Sequence, residues 1–201
     1  MRSRTPKPPR VWQRMLSGRR LDLIDPSPMD IEIEDIAHGL ARVARWNGQT
    51  SGAHIFSVAQ HTVLVECFAE AADPALTRDS RLSVLLHDAA EYVVGDIISP
   101  FKAVLGDGYR DIEKRLLAAI HIRFGLPSQP SATLTRAIKR ADQASAFYEA
   151  TRLAGFSLTE ATGFFGKPVP LPHGAEALLA PWDAETAKER FLASFNAALD
   201  S

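Results

Sequence analysis

Apolar residues that recur every three or four positions dominate this chain, and that spacing is typical of one face of a helix. The first run, Ile36, Leu40 and Val43, predicts a helix that ends near residues 47–48. Ser57 is a suitable N-cap for a second helix, with Val58, His61, Val65 and Phe68 on one stripe. Similar runs predict further helices over about residues 80–92, 100–105, 112–124, 134–148 and 187–199.

The spacing of apolar residues is different near the N-terminus. Residues 21–34, LDLIDPSPMDIEIE, alternate apolar and polar positions around Pro26 and Pro28, which predicts a short extended hairpin. Residues 162–174 are rich in Gly and Pro and predict a loop. The predicted fold class is therefore all-α, a helical bundle with a minor N-terminal β-hairpin.

The length of 201 residues predicts one domain with a substantial core of its own. Within it, residues 1–30 form a basic arm and the hairpin, residues 36–150 the helical core, and residues 176–201 a C-terminal helix. The single cysteine, Cys67, excludes an internal disulfide framework and fits a reducing compartment. No run reaches the roughly 20 apolar residues that span a membrane, and the basic N-terminus has no apolar stretch behind it. We expect a cytoplasmic protein with no membrane partner.

Charge is unevenly distributed along the chain. The formal net charge is −1, but residues 1–20 hold seven Arg or Lys and no acid, which leaves 16 basic against 24 acidic residues elsewhere. A basic arm can attract phosphates or nucleic acid. Prolines interrupt this one, however, and no aromatic interleaving or nucleic-acid-binding motif accompanies it. We therefore do not expect nucleic acid as a partner.

Residues 85–102, LLHDAAEYVVGDIISPFK, form an apolar run that contains several polar groups whose burial is energetically costly. A buried carboxylate or imidazole needs a partner, and this stretch supplies too little positive charge to provide one. Either the segment lies at the surface or the partner is a metal ion.

Four residues suit such an ion, because each lies on a predicted helix on or beside its apolar stripe: His61, His87, Asp88 and Asp142. Mixed nitrogen and oxygen ligands suit Mn, Fe, Co, Ni or Zn, whereas Ca prefers oxygen alone. Four protein ligands on an octahedral ion leave positions for water and substrate. Adjacent helical residues diverge by roughly 100°, so His87 and Asp88 share an ion only if it lies over the groove between them.

The segments SVAQHT (57–62), LLHDAAE (85–91) and KRADQAS (139–145) resemble the H…HD…D signature of the HD-domain metal-dependent phosphohydrolases. The continuation GDIISPFK (95–102), with Arg45-Trp46 upstream, is similar to the branch that includes bacterial 5′-deoxyribonucleotidases. A second branch with the same metal motif removes triphosphate from deoxynucleoside triphosphates. The resemblance covers about residues 36–150 and implies a helical HD domain.

The resemblance also implies roles around the ion. It assigns proton transfer to Glu91 and Asp96, one serving the water and the other the leaving oxygen, without saying which does which. Arg45 and Lys102 would clasp the phosphate, because phosphoryl transfer depends on charge neutralisation. Trp46 would stack on a base, and His54 lies in a loop that enters the site and is a candidate substrate contact.

The predicted function is hydrolysis of nucleoside 5′-monophosphates with one divalent transition metal. The alternatives are a deoxynucleoside triphosphate triphosphohydrolase, which would need additional Mg ions or the basic arm, and a non-catalytic nucleotide or metal sensor. The sequence does not decide between a monomer and a homodimer. The apolar face formed by Phe191, Phe195 and Leu199 on the C-terminal helix fits either a dimer contact or an intramolecular core.

Overall fold

The computed structural model describes residues 11–98, 101, 104 and 107–201. The chain begins with an antiparallel hairpin of β1 (Trp12–Arg14) and β2 (Arg20–Asp22), in which Gln13 faces Leu21. The mostly helical fold with a minor N-terminal hairpin is thus confirmed. The predicted position of the hairpin was wrong, because residues 28–30 form a 3-10 turn instead. Ser27 caps that turn by accepting a hydrogen bond from the Met29 amide.

Helices make up most of the remainder. In the described part of the chain they are α1 (Ile33–Leu40), α2 (Val58–Ala72), α3 (Arg78–Leu85), α4 (Glu91–Val94), α5 (Asp107–Arg123), α6 (Ala132–Arg152), α7 (Leu158–Phe165) and α8 (Ala184–Leu199). Polar N-caps begin many of them, as the side chains of Ser57, Thr77 and Ser131 accept amide hydrogen bonds in the first turn. None of these helices has the length and hydropathy that crossing a bilayer requires.

Helix α2 lies at the centre of the bundle, where it packs against α3, α6 and α8. Its buried face includes Val58, Leu64 and Val65. Helix α8 closes the other side of the core, with Phe191 and Phe195 buried against α1 and α3. The apolar face of the C-terminal helix is therefore largely covered within one chain, and only Leu199 at its end is 40% exposed.

Two predicted helix boundaries were wrong near the site. Helix α1 ends at Leu40, and residues 45–48 form a separate 3-10 turn. The predicted helix over residues 80–92 is divided, because α3 ends at Leu85 and α4 begins at Glu91. Residues 86–90 between them form tight turns, in which the Ala89 amide bonds to the Leu86 carbonyl at 3.1 Å. His87 and Asp88 therefore lie in this turn and not on an α-helix.

Helix α7 occupies residues that were predicted in part as a loop. Its start is a capping box, in which Ser157 accepts from the Glu160 amide and Glu160 accepts from the Ser157 amide. The short helix predicted over residues 100–105 lies largely outside the described residues.

Close packing of α1 on α4 helps to position the turn over residues 86–90. A Cβ atom added at Gly39 would lie 2.7 Å from Tyr92 Cβ, closer than side chains approach one another. Only glycine allows α1 to approach α4 so closely, and α4 begins directly after the turn with Glu91.

Candidate metal centre

Three parts of the fold bring the predicted ligands together. Helix α2 carries His61, the turn between α3 and α4 carries His87 and Asp88, and α6 carries Asp142. Because α2 packs directly along α6, these residues come together although they lie far apart in sequence. Asp88 and Asp142 line one cavity, whereas His61 and His87 lie behind them and are not among its lining residues.

His61 is fully buried and has its two ring nitrogens in different environments. Nδ1 donates to Glu149 Oε1 at 2.6 Å, which leaves Nε2 as the ring nitrogen that can bind a metal. Nε2 is buried and has no hydrogen-bond partner among the described residues. It lies 3.5 Å from Asp88 Oδ2 and 3.6 Å from Asp142 Oδ1.

His87 repeats this arrangement. Its Nδ1 donates to the Val84 carbonyl at 2.8 Å, and its buried Nε2 lies 3.3 Å from Asp88 Oδ2, with no hydrogen-bond partner in the described part of the chain. The tight turn also removes the difficulty that adjacent helical residues diverge, because Asp88 Oδ2 faces the Nε2 atoms of both histidines.

The distances between these atoms fit a metal better than direct hydrogen bonds. The ligand atoms of His61, His87 and Asp88 all lie within 4.8 Å of one another. Two ligand atoms that each lie about 2.0–2.2 Å from one ion are roughly 2.9–3.6 Å from each other. The distances between the histidine Nε2 atoms and the carboxylate oxygens, 3.3–3.6 Å, fall in this range. The group of His61, His87 and Asp88 can therefore hold a metal ion.

Asp142 lies beside this group without belonging to it. Its Oδ1 faces His61 Nε2, whereas its Oδ2 accepts a hydrogen bond from Lys139 Nζ at 2.7 Å. One oxygen is thus directed toward the centre while the other is held from the opposite side. Its role as a fourth ligand remains a prediction.

The electrostatics of the centre also favour a cation. Burial and the nearby Arg45 guanidinium lower the pKa of His61, but the carboxylates of Glu149 and Asp88 outweigh them and raise it to about 10. Burial raises the pKa of Asp88, but His87 and His61 hold it well below its usual range. The protein thus favours positive charge between these side chains, and a divalent ion can replace the proton on His61.

Glu149 is the functional residue that the sequence reasoning missed. This fully buried carboxylate accepts from His61 Nδ1 and from Ser145 Oγ at 2.8 Å on Oε1, and from Trp46 Nε1 at 2.9 Å on Oε2. Burial raises its pKa, but His61 and Arg45 outweigh burial, so the pKa lies well below the usual range and the group is ionised. It therefore orients both the candidate metal ligand His61 and the Trp46 side chain in the wall of the cavity.

Arg45 and Trp46 reach Glu149 from an unusual turn. Trp46 and Asn47 have φ values of 57° and 50°, the left-handed region that costs a residue with a Cβ atom about 1–2 kcal/mol. The turn is fixed to the chain before α2, since the Arg45 amide bonds to the Phe56 carbonyl at 2.8 Å. Arg45 Nη1 lies 3.3 Å from Asp96 Oδ2, and its Nε lies 3.4 Å from Glu149 Oε2.

A cavity of about 940 Å³ joins most of the predicted site residues. Arg45, Trp46, Asp88, Glu91, Asp96 and Asp142 line it. His54 is exposed and is not one of its lining residues, so the structure does not bring it into the site. Lys102 lies outside the described residues.

The fold and the site together define a mainly helical protein with a candidate metal centre. No family model matches the chain. It is 60% identical over 162 residues to "Uncharacterized protein RCAP_rcc00048" of Rhodobacter capsulatus, an alignment that covers 81% of this chain and 83% of that protein. The chain therefore belongs to the same family as the Rhodobacter protein. It is also 37% identical over 98 residues to "Uncharacterized protein YfdR" of Escherichia coli, about half of each chain. Neither name states an activity.

Proposed function

We propose that this protein is a metal-dependent phosphohydrolase of nucleotides and that it releases phosphate from deoxyribonucleoside 5′-monophosphates. The observation that carries the proposal is the pair of buried Nε2 atoms on His61 and His87, which face one carboxylate oxygen of Asp88 at the edge of a cavity. Histidines with Nδ1 already engaged and Nε2 directed into a shared space are typical of metal ligands.

In this proposal His61, His87, Asp88 and Asp142 hold one divalent transition metal. Such an ion, when bound, supplies Lewis-acid polarisation of a phosphoryl oxygen and activation of water. The protein contributes the orientation of the ligands, through the contacts of Glu149 with His61 and of the Val84 carbonyl with His87.

The reaction adds water to phosphorus and breaks the bond between phosphorus and O5′ of the sugar. One proton leaves the attacking water, and one proton must reach O5′ as the nucleoside departs. Glu91 and Asp96 line the cavity and are the proposed groups for these two transfers. Arg45 carries a guanidinium that can bind two phosphoryl oxygens at once.

The cations of the cavity favour a monophosphate. Among the described lining residues, Arg45 and Lys139 are positively charged, and each already contacts a carboxylate. A monophosphate carries about two negative charges at neutral pH, which one divalent ion with one or two cations can balance. A triphosphate carries more charge and would need further Mg ions or the basic residues that precede Val11.

Parallel incubation with dAMP and dATP tests the proposal. The protein is loaded with Mn or Co, and phosphorus NMR identifies the products. We expect deoxyadenosine and inorganic phosphate from dAMP, with no product when the metal is removed by a chelator. His61→Ala is the matched inactive control.

Two other outcomes of this experiment would indicate a different function. Inorganic triphosphate from dATP, with dAMP intact, would identify a triphosphohydrolase. Nucleotide binding without any phosphorus-containing product from the metal-loaded protein would instead identify a sensor and overturn the proposal.

A further inference from the structure

Four aromatic side chains line the same cavity as the metal centre: Trp46, Phe156, Phe164 and Phe165. We call this group the aromatic wall. Its rings form a continuous series, with centroids 5.5 Å apart for Trp46 and Phe156 and 5.9 Å for Trp46 and Phe165. Phe164 extends it, at 6.1 Å from Phe156 and 6.2 Å from Phe165.

Part of the wall is costly to maintain without a ligand. Phe164 is 71% exposed although it lies in a structured helix, α7, whose Ala161 is fully buried. An exposed phenyl ring loses the free energy that burial of its apolar surface would provide. A planar ligand in the cavity would recover that free energy.

The indole nitrogen of Trp46 already has a hydrogen-bond acceptor within the protein. Its Nε1 donates to Glu149 Oε2 at 2.9 Å, which fixes the orientation of the indole and leaves its apolar surface to line the cavity. Asn47, Gln49 and Gln143 also line the cavity and offer amide donors and acceptors. Ring faces with a few amides suit a flat heteroaromatic ring better than an aliphatic chain or a bare sugar.

The size of the cavity also exceeds what a phosphate alone requires. At about 940 Å³ it lies near the upper end of the 300–1,000 Å³ typical of small-molecule sites. Since Trp46 follows Arg45 directly in the chain, the wall begins next to the guanidinium. A ligand with an anionic end and an aromatic end therefore matches the whole cavity.

We propose that the aromatic wall is the binding subsite for the nucleobase of the substrate, with α7 contributing Phe164 and Phe165. The placement of the phosphate rests on the proposed function, whereas binding of the base does not require turnover. Stacking accepts every base, because each has a π-face, so the subsite should select nucleotides over sugar phosphates while discriminating weakly among bases.

The test compares Phe164→Ala with Leu158→Ala in the full-length, metal-loaded protein. Leu158 lies on the same helix and is 69% exposed but does not line the cavity, so it is a matched control. Binding of deoxyadenosine and of 2-deoxyribose is measured by calorimetry or ligand-observed NMR. We expect Phe164→Ala to weaken deoxyadenosine binding at least about fivefold, the low end of the effect of removing one stacking ring. Leu158→Ala should bind like the wild type, and 2-deoxyribose should bind far more weakly to all three proteins.

Hydrolysis assays on the same variants test the base subsite and the proposed function separately. Selective loss of dAMP turnover in Phe164→Ala, with hydrolysis of 2-deoxyribose 5-phosphate unchanged, supports both. Loss of deoxyadenosine binding without any phosphohydrolase activity supports the subsite and rejects the proposed function. Equal binding of deoxyadenosine by wild type and Phe164→Ala overturns the subsite, and dissociation of a dimer in that variant would then reassign the wall to a contact between two copies.

Discussion

Glu149 shows how much of this site depends on one buried side chain. Its two oxygens accept from His61, Ser145 and Trp46, and Arg45 lies beside it. The sequence contained a signal for it, because Asp142, Ser145 and Glu149 are spaced three and four residues apart and share one helix face. The signal was missed because Glu149 has no counterpart in the H…HD…D pattern.

We expect Glu149→Gln to weaken metal binding about 10–100-fold, the usual effect of losing the partner of a metal-bound histidine. The amide keeps the shape of the side chain but removes the charge that fixes the His61 tautomer. Competition with a chromogenic chelator measures the affinity. Glu66 on α2 is also a buried carboxylate but lies outside the candidate centre, so Glu66→Gln should leave the affinity unchanged. Equal affinities for Glu149→Gln and wild type would reject the positioning role.

Glu91 is buried and lines the cavity but is not proposed as a ligand. Glu91→Gln should therefore retain the metal and the Tm while kcat falls at least about 10²-fold, as is usual when an acid–base group is removed. Metal content, Tm and kcat should be measured on one preparation. Turnover near the wild-type rate would remove Glu91 from the mechanism.

Arg45 combines a structural contact with a proposed phosphate contact. Burial lowers its pKa, but Glu149 and Asp96 outweigh burial and raise it, so the guanidinium is always charged. Arg45→Lys keeps the charge and loses the planar fork that binds two oxygens. We expect a higher KM and a lower kcat for dAMP, with metal content unchanged. Kinetics identical to those of the wild type would assign Arg45 to the fold alone.

At the scale of the elements, the sequence predicted the parts in which capping and periodicity agree. Ser57 caps α2 as expected, and Gly125 follows α5 in a left-handed conformation with φ of 77°. The break between α3 and α4 was not predictable from periodicity, because apolar residues continue through residues 84–94. That break depends on packing between elements, such as α1 against α4 at Gly39. Helix α7 was detectable from Ser157 and Glu160, whose spacing is that of a capping box.

The capping box of α7 has a measurable contribution to stability. Ser157→Ala removes a side chain that caps the helix and should cost about 1 kcal/mol. The Tm should fall by roughly 2–4 °C for a chain of this size. Thr159→Ala changes an exposed position of the same helix without removing the cap, and calorimetry should find a smaller shift for it. If the two shifts are equal, the cap does not stabilise α7.

At the scale of the whole molecule, the candidate metal centre brings together segments that lie far apart in the chain. His61 and Asp142 are separated by about 80 residues, and the turn over residues 86–90 joins them from a third direction. An ion bound to all three would act as a cross-link of the native state, because the unfolded chain offers no such site.

Metal should therefore raise the stability of the protein. At a free concentration of 100 times its Kd, an ion adds about 2.7 kcal/mol to the free energy of unfolding, which corresponds to roughly 5–10 °C in Tm. Scanning fluorimetry with and without Mn or Co measures the shift. His61→Ala and Asp142→Ala should not respond to metal, whereas His121→Gln, a change at a buried histidine outside the centre, should respond like the wild type. A full shift in Asp142→Ala would exclude Asp142 as a ligand.

The tight turn over residues 86–90 limits how the length of this protein can change during evolution. One residue inserted or deleted in this turn would change its path and move His87 and Asp88 relative to His61, even if both residues were retained. The largely exposed segment over residues 166–174 imposes no such limit, because it carries none of the residues of the centre. Relatives that keep this candidate metal centre should therefore keep the length of the segment between α3 and α4, in which only residues other than His87 and Asp88 can vary. They can gain or lose residues after α7.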